Sequence, residues 1–161
     1  MPRDAHQERL TIEAAAPDSA DARHCIAGYF NELRQRLEAG FDPDRTARVA
    51  DAEIAPPAGL LLLARLDGRA VGCGALRVKE DGIGEIKRLW VDESARGRGV
   101  ARRLMQALEA EARSRGLSLL RLDTNRALSE AFALYQSCGF EEVAAFNAEP
   151  YAHHWFAKRL D

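Results

Sequence analysis

The chain has 161 residues, of which 47% are hydrophobic, so it can form one globular domain with a full-sized core over residues 1–161. Its formal net charge of −2 at pH 7 argues against nucleic-acid binding, because proteins that neutralise phosphate backbones are usually basic. The three cysteines are widely spaced and the N-terminus is polar, which predicts a cytoplasmic protein. No metal-binding spacing and no long apolar run is present, so neither a metal nor a membrane partner is expected.

The first half of the chain is predicted to contain a strand, helical segments and an antiparallel meander. Apolar spacing predicts a strand at Leu10–Ala14, a helix over Ser19–Glu38 and a further short helical stretch that starts at Phe41. Asp-Gly turns then separate three apolar strands, predicted at Gly59–Leu66, Ala70–Val78 and Glu85–Val91. In the middle strand, Gly72 and Gly74 indicate a bulge or the close approach of another backbone.

The second half begins with a long helix. An apolar stripe at helical spacing runs from Val100 to Ala112, and Gly116 is placed to end this helix. A strand, a helix and two further strands are predicted at Leu117–Leu122, Ala127–Ser137, Phe140–Val143 and Tyr151–Lys158. The fold class is therefore α/β, with a mixed α+β sheet of six to seven mostly antiparallel strands and about four flanking helices.

The most informative segment is the turn before the long helix, which reads R-G-R-G-V-A-R-R from Arg96 to Arg103. A strand that turns through glycines into a helix presents unpaired amides at the positive end of the helix dipole, where phosphate binds. Four arginines without an acid add positive charge, so the predicted ligand is a polyphosphorylated anion. Arg102 replaces the third glycine of dinucleotide-binding turns and no Lys-Ser or Lys-Thr pair follows, which disfavours both common nucleotide motifs.

The spacing R-x-x-G-x-A, from Arg96 to Ala101, resembles the acetyl-coenzyme A signature of the Gcn5-related N-acetyltransferase (GNAT) family. The segment L-Y-Q-S-C-G-F, from Leu134 to Phe140, resembles the family's L-Y-x-x-x-G-F element, and the strand E-I-K-R-L-W-V before the turn is also typical of the family. The resemblance covers about residues 8–160 and implies a GNAT-like fold with a central splay between two strands. It also implies an enzyme that transfers an acetyl group from acetyl-coenzyme A (acetyl-CoA) to a primary amine by direct attack in a ternary complex.

The resemblance implies acetyl-CoA as the co-substrate. Amides and arginines of the turn would hold its phosphates, and the ends of two neighbouring strands would hold its pantetheine arm and thioester carbonyl. The implied cofactor-binding residues are Leu89, Trp90, Val91, Arg96, Gly97, Arg98, Gly99, Val100, Ala101, Arg102, Thr124 and Asn125. Seven residues before Tyr135, where many relatives have an asparagine, this chain has Leu128, so Asn125 is a candidate substitute.

Two residues match catalytic positions of the family. Tyr135 matches the general acid, from which a phenol can protonate the departing thiolate; the alternative is that it only packs against the pantetheine arm. Glu85 matches the glutamate base of histone-acetylating members; the alternative is an ion pair with Lys87 or Arg88 on the sheet surface. A base is needed because freeing a lysine-like amine at pH 7 costs about 4.6 kcal/mol.

The acceptor is expected between the first helix and the last strands, where the family varies most. The candidate substrate-binding residues are Arg88, Tyr29, Tyr151 and His154. A cation at Arg88 or Lys87 can bind a carboxylate, which favours a small amine such as an amino acid, and a polyamine is a further candidate. The alternatives are acetylation of protein or aminoacyl-tRNA amines, and a non-catalytic coenzyme A sensor or interaction module. Family members often pair, so a homodimer is also expected.

Overall fold

The computed structural model describes residues 9–38, 40–46 and 48–160. They contain seven strands: β1 Leu10–Ala15, β2 Gly59–Leu66, β3 Arg69–Val78, β4 Ile83–Val91, β5 Leu119–Thr124, β6 Glu141–Val143 and β7 His154–Arg159. Three α-helices accompany them: α1 Ala20–Arg36, α2 Val100–Ser114 and α3 Ser129–Ser137. All of these elements were predicted, with ends that differ by at most three residues.

The short helical stretch expected after Phe41 is the main difference in secondary structure. In the described residues of this segment, Asp51–Ile54 alone are helical, and they form a short 3-10 helix. Its apolar residues do not share one helix face, because Phe41 and Val49 line a cavity while Ile54 is fully buried in the core. Three α-helices, rather than about four, therefore flank the sheet in the described residues.

The seven strands form one mixed sheet in the order β1-β2-β3-β4-β5-β7-β6. Neighbouring strands are antiparallel, except that β4 and β5 run parallel. These two strands pair only at Ile83–Glu85 against Leu119–Arg121. Beyond those residues, β4 continues to Val91 and β5 to Thr124 without pairing to each other, so the sheet opens in its middle. The expected central splay is confirmed.

Apolar side chains cover both faces of this sheet. One face packs against α2, through a stripe whose members are at most 2% exposed: Val100, Leu104, Leu108 and Ala112. α3 packs on the same face, where Tyr135 contacts Phe156 of β7. The opposite face packs against α1 through Ala22 and Cys25. The splay therefore opens between α1 on one face and α2 and α3 on the other.

β4 carries a bulge beside the splay. The pairing of β3 with β4 skips one residue, so Gly74 alone opposes both Arg88 and Leu89. Arg88 adopts a left-handed φ of 56°, which non-glycine residues rarely take. A Cβ atom on Gly74 would lie 3.0 Å from a methyl carbon of Leu108, so a glycine leaves the space that this bulge needs. The extra residue of this bulge belongs to β4, opposite Gly74, whereas at Gly72 the backbone of β4 approaches closely, with the Trp90 carbonyl oxygen 2.8 Å from where a Cβ atom would be.

The thiols of all three cysteines are free, with Cys25 and Cys73 buried and Cys138 half-buried. In the described part of the chain, no group of three or more histidine, cysteine, aspartate or glutamate side chains is placed to hold a metal ion. None of the described helices has both the length and the apolar character required to cross a bilayer.

Candidate active site

A cavity of about 260 Å³ opens where β4 and β5 separate. Residues 86–91 of β4 and residues 122–125 at the end of β5 form its two edges, and side chains of α1 and α3 complete its walls. The cavity also borders the turn before α2, through Arg96 and Ala101, and a group of aromatic side chains. The candidate phosphate site therefore borders the cavity that contains the candidate acceptor site.

The turn between β4 and α2 is shaped by two glycines in the left-handed region, Gly97 with φ 78° and Gly99 with φ 75°. Gly99 is the N-cap residue of α2 and offers no side chain to the first amides of the helix. The first helical turn has no acid and carries Arg102 and Arg103. Because positive side chains are unfavourable at the positive end of a helix dipole, this turn gains stability when an anion binds to it.

The arginines of the turn differ in their surroundings. Arg96 lines the cavity and forms an ion pair with Glu32 of α1. Arg102 donates a hydrogen bond of 2.8 Å to Ser137 Oγ, near the end of α3. Five of the predicted cofactor-binding residues lie on the turn but outside the cavity lining: Gly97, Arg98, Gly99, Val100 and Arg102. A phosphate on these amides would therefore lie at the entrance of the cavity.

The edges of the splay carry the other predicted cofactor-binding residues. Leu89–Val91 line the cavity from β4, and Thr124, only 6% exposed, lines it from β5. The Asn125 side chain donates a 2.8 Å hydrogen bond to the Tyr151 carbonyl and accepts one from a backbone amide two residues later. Asn125 thereby joins the end of β5 to the loop before β7. Leu128 caps α3 without a side-chain hydrogen bond.

Tyr135 of α3 is 7% exposed and lines the cavity. Its ring packs against Phe140 and Phe156, at centroid distances of 6.4 and 5.8 Å. Burial first, and then electrostatic interaction with Tyr29 and Asp123, raises the pKa of this phenol above its ordinary value. The hydroxyl therefore stays protonated at neutral pH and can donate a hydrogen bond into the cavity.

Glu85 lies outside the cavity lining. Its side chain is 4% exposed, with Arg77 Nη2 2.7 Å from one carboxylate oxygen and Arg121 Nε 3.2 Å from the other. Burial alone would raise the pKa of Glu85, but the hydrogen bond from Arg77 and the charges of Lys87, Arg77 and Arg121 lower it. A carboxylate held in this way is a poor proton acceptor. The predicted base role does not fit this geometry; the ion-paired alternative does, although neither Lys87 nor Arg88 is the hydrogen-bonded partner.

Four aromatic residues form what we call the aromatic wall of the cavity: Tyr29, Phe30, Phe41 and Tyr151. Successive rings are 5.3, 5.9 and 4.9 Å apart between centroids. The Tyr151 hydroxyl accepts a 2.8 Å hydrogen bond from the Asp42 amide, and Thr46 Oγ1 donates one of 2.8 Å to Glu149. These bonds join residues 40–46 to the loop before β7. Tyr29 and Tyr151 lie where the sequence predicted; Phe41 was not predicted.

Arg88 lines the same cavity from the β4 bulge. Its guanidinium donates a 3.0 Å hydrogen bond to the Val49 carbonyl and lies 5.5 Å from the centre of the Phe30 ring. Burial lowers the pKa of this guanidinium. Among the described residues, no carboxylate accepts a hydrogen bond from Arg88. A half-buried cation therefore borders the cavity without a hydrogen-bonded anion.

His154 does not line the cavity. Its Nδ1 lies 2.5 Å from Glu142 Oε2 of β6, and its ring packs against Phe132 of α3 at a centroid distance of 4.9 Å. Side chains alternate between the two faces of a strand. The His154 side chain lies on the face of β7 that α3 covers. The prediction that His154 binds substrate does not fit this placement.

Besides Lys87, the cavity contains charged residues that the sequence did not single out as site residues: Asp123, Arg36 and Glu130. Asp123 of β5 lies opposite Lys87 of β4, with 3.8 Å between Lys87 Nζ and Asp123 Oδ2. Arg36 of α1 lies 2.9 Å from Glu130 of α3, whose pKa falls to about 2 chiefly through this hydrogen bond. The available signal for Asp123 was its place at the end of a strand, two residues after Arg121 and therefore on the same face.

Residues 26–140 match the family model described as "Acetyltransferase (GNAT) family". The matched segment covers most of the chain and includes the turn, the splay and Tyr135. The chain belongs to the GNAT family. It is therefore an acyltransferase that depends on acetyl-CoA.

Individual acyltransferases are similar to this chain over different lengths. An IAA acetyltransferase of Azospirillum brasilense is 43% identical over 58% of this chain, and the alignment spans only 61% of that relative. An aminoglycoside N(6')-acetyltransferase type 1 of Stenotrophomonas maltophilia is 30% identical over 81% of this chain and 90% of the relative. A solved structure from Klebsiella pneumoniae, assigned as an acyl-CoA N-acyltransferase, has a TM-score of 0.77 and 32% identity, covering 94% of this chain and 98% of its own.

The residues of this GNAT chain fit acetyl-CoA on structural grounds. The uncapped, basic start of α2 suits its phosphates, because amides and positive charge converge there. The gap between the unpaired parts of β4 and β5 suits an extended arm, because both strand edges line the cavity. The names of the two relatives give different acceptors.

Proposed function

We propose that this GNAT protein transfers the acetyl group of acetyl-CoA to the amine of a small molecule that also carries a carboxylate, as an amino acid does. The supporting observation is Arg88, a half-buried cation in the cavity whose described contacts are a carbonyl and an aromatic ring. A guanidinium binds a carboxylate through two parallel hydrogen bonds. An acceptor that brings its own carboxylate would complete this site, whereas a polyamine would bring only positive charge.

The size and closure of the cavity support a small acceptor over a protein. A volume of about 260 Å³ lies below the roughly 300–1,000 Å³ of pockets for drug-sized ligands. Two hydrogen bonds, from the Asp42 amide to Tyr151 and from Thr46 to Glu149, connect the loops beside the aromatic wall. We expect this volume to accommodate a small amine more readily than an extended peptide.

The aromatic wall supports an acceptor with an apolar group. Tyr29, Phe30 and Phe41 present ring surface to the cavity. Removing such surface from water lowers the free energy of binding. An amino acid with an aromatic or aliphatic side chain would place its carboxylate at Arg88 and its side chain on these rings. Phenylalanine is therefore the first probe.

In the proposed reaction, acetyl-CoA supplies a thioester whose carbonyl carbon bonds to the amine. The amides of residues 97–101 and the arginines beside them bind the phosphates, while Thr124 and Asn125 border the arm. Backbone amides at Leu89–Val91 bind the carbonyl oxygen as negative charge develops on it. The Tyr135 hydroxyl, kept protonated by its burial, donates its proton to the departing sulfur.

A screen of free amines tests this function. Thiol release is measured with acetyl-CoA and each of the common amino acids, with spermidine, and with the decarboxylated counterpart of every amino acid that reacts, such as phenethylamine for phenylalanine. We expect turnover of one or more amino acids and at least about tenfold lower kcat/KM for the decarboxylated amine, since a charged hydrogen-bonded contact is lost. Turnover confined to protein or peptide amines would contradict the proposal.

The alternatives make different predictions in the same assay. A non-catalytic sensor would bind acetyl-CoA without acetylating any amine in the screen. An enzyme for aminoacyl-tRNA would bind transfer RNA at moderate salt, where a protein with a net charge of −2 is not expected to do so. A cytoplasmic location and a homodimer stay predictions, which cell fractionation and light scattering can test.

A further inference from the structure

We infer that Asp123 binds the ammonium group of the acceptor and takes one of its protons before the acetyl group is transferred. The inference rests on the acetyltransferase function proposed above. It supplies the proton acceptor that the ion-paired Glu85 does not provide.

Asp123 lies where the sheet opens. Glu85 and Arg121 form the last residue pair at which β4 and β5 are joined to each other. Asp123 follows two residues after Arg121 on β5. Its side chain shares a face with that of Arg121, because strand side chains alternate. Lys87 takes the matching place on β4, and its Nζ lies 3.8 Å from Asp123 Oδ2 across the gap. The Asp123 side chain is 15% exposed and lines the cavity.

One oxygen of the Asp123 carboxylate accepts a hydrogen bond from the protein, and the other accepts none from the described residues. Oδ2 accepts a 2.9 Å hydrogen bond from Asn147 Nδ2 and faces Lys87. No residue in the described ranges is found to donate a hydrogen bond to Oδ1. Glu85 differs, because each of its oxygens already accepts a hydrogen bond from an arginine. Of these two carboxylates, only Asp123 has an oxygen available to a ligand.

The surroundings of Asp123 also suit an amine. Lys87 is itself a primary ammonium, so its position beside Oδ2 shows that such a group can approach this carboxylate. Burial raises the pKa of Tyr29 and of Tyr135, and the charge of Asp123 raises both further. All three side chains line the same cavity, so the carboxylate and the Tyr135 hydroxyl can act on one bound acceptor.

The proposed step is a proton transfer. One N–H bond of the acceptor ammonium breaks, an O–H bond forms at Asp123 Oδ1, and the nitrogen keeps the electron pair with which it bonds to the acetyl carbon. As the bond from that carbon to sulfur breaks, Tyr135 gives its proton to sulfur and regains one from the acetylated nitrogen. Each turnover therefore releases one proton, which Asp123 passes to solvent.

The pH dependence of Asp123→Asn tests this role. The amine that reacts fastest in the screen above is assayed at saturating acetyl-CoA. At pH 7 we expect kcat/KM to fall at least about 100-fold, the effect of losing a general base. At pH 9.5 we expect the loss to shrink to within about tenfold, because a far larger fraction of the acceptor amine is already free there than at pH 7. Asp123→Glu, which keeps a carboxylate, should recover at least about tenfold of the loss at pH 7.

The groups that face Asp123 are the same in the wild type and in Asp123→Asn, so a difference between their pH profiles reports on the carboxylate itself. Lys87 on β4 contacts Asp123 directly. The other titratable and charged groups that line the cavity are Arg88 on β4, Tyr29, Glu32 and Arg36 on α1, Arg96 before α2, Glu130 and Tyr135 on α3, and Glu149 and Tyr151 on the loop before β7. The matched change Glu85→Gln, on the neighbouring strand, should keep the shape of the wild-type profile. Calorimetry should show that Asp123→Asn binds acetyl-CoA as tightly as the wild type, within about threefold.

The possible outcomes separate the role of Asp123 from the proposed function. A variant Asp123→Asn within about threefold of the wild type at pH 7, or a loss that is the same at pH 7 and pH 9.5, would overturn the role of Asp123 and leave the proposed function standing. A rescue at high pH in Glu85→Gln instead of Asp123→Asn would overturn that role as well. A wild-type protein that acetylates no amine would overturn the proposed function, and this inference with it.

Discussion

Glu85 on β4 and Arg121 on β5 face each other at the last paired position of the two strands, with Arg121 Nε 3.2 Å from Glu85 Oε2. Arg77 of β3 binds the other carboxylate oxygen at 2.7 Å, so one buried carboxylate joins three adjacent strands. Two residues further on, the strands have separated and their side chains line the cavity. The ion pair thus closes the narrow end of the splay.

Glu85→Gln should lower the free energy of unfolding and should have little effect on the rate of acetyl transfer. The amide leaves two arginines without their shared charge, which we expect to cost about 3 kcal/mol of unfolding free energy in urea titrations at pH 7. The pKa of Glu85 is lowered in the folded state, so its stabilisation is present above the ordinary value of 4.5 and is lost as the pH falls through the folded value. The difference between wild type and variant should therefore shrink in acid. An equal difference at pH 7 and pH 3 would contradict this account.

Tyr135→Phe should lower kcat about 100-fold, because the proton donor to sulfur is removed while the ring remains. Calorimetry should give an acetyl-CoA affinity within about threefold of the wild type, since no described contact of the hydroxyl holds the turn. The pKa of this phenol is raised above its ordinary value of 10, so the wild-type kcat should not decline on the alkaline side below pH 10. A decline centred well below pH 10 would show that another group is the donor.

Gly99→Ala should weaken acetyl-CoA binding about tenfold. Alanine disfavours the left-handed φ of Gly99, and a shift of the backbone away from this φ would turn the first amides of α2 away from the phosphates. An added Cβ meets no atom within 4 Å at φ 75°, so backbone strain is the only direct effect. Gly116→Ala is the matched control, since Gly116 has φ 72° and equally open space at the other end of α2. Both changes should cost about 1–2 kcal/mol of stability. Equal binding by the two variants would exclude the turn as the phosphate site.

Arg88→Met should separate amino acids from their decarboxylated counterparts. Loss of a charge-assisted contact should lower kcat/KM for the amino acid about 10–100-fold, while the decarboxylated amine should react at a rate within about threefold of that with wild-type protein. The two acceptors are assayed side by side, so each serves as the control for the other. An equal loss for both would mean that Arg88 supports the cavity wall through Phe30 rather than binding a carboxylate.

The turn and the main elements could be predicted because their signals are local. The spacing of the glycines between Arg96 and Ala101 predicted the turn. The apolar periodicity from Val100 to Ala112 predicted the helix. The splay depended on family resemblance, because no short pattern in β4 or β5 shows where their pairing stops. The segment after Phe41 was mispredicted because its apolar residues pack against the cavity and core rather than along one helix face.

The site residues whose predicted roles do not fit the geometry, Glu85 and His154, depend on long-range partners. Glu85 is held by Arg121, which comes from a strand 36 residues later, and no local pattern gives that register. His154 lies on a strand whose alternation is clear, but only the tertiary structure shows that α3 covers its face. Asp123 was missed for the same reason, since its placement opposite Lys87 exists only where parallel strands separate.

The most direct test of the account is a crystal structure with bound coenzyme A, in which the distance from its sulfur atom to the Tyr135 hydroxyl is measured. We expect the phosphates on the amides of residues 97–101, the arm between β4 and β5, and the sulfur within hydrogen-bond distance of that hydroxyl. A coenzyme A molecule bound elsewhere, or a sulfur atom outside the gap between the two strands, would contradict it.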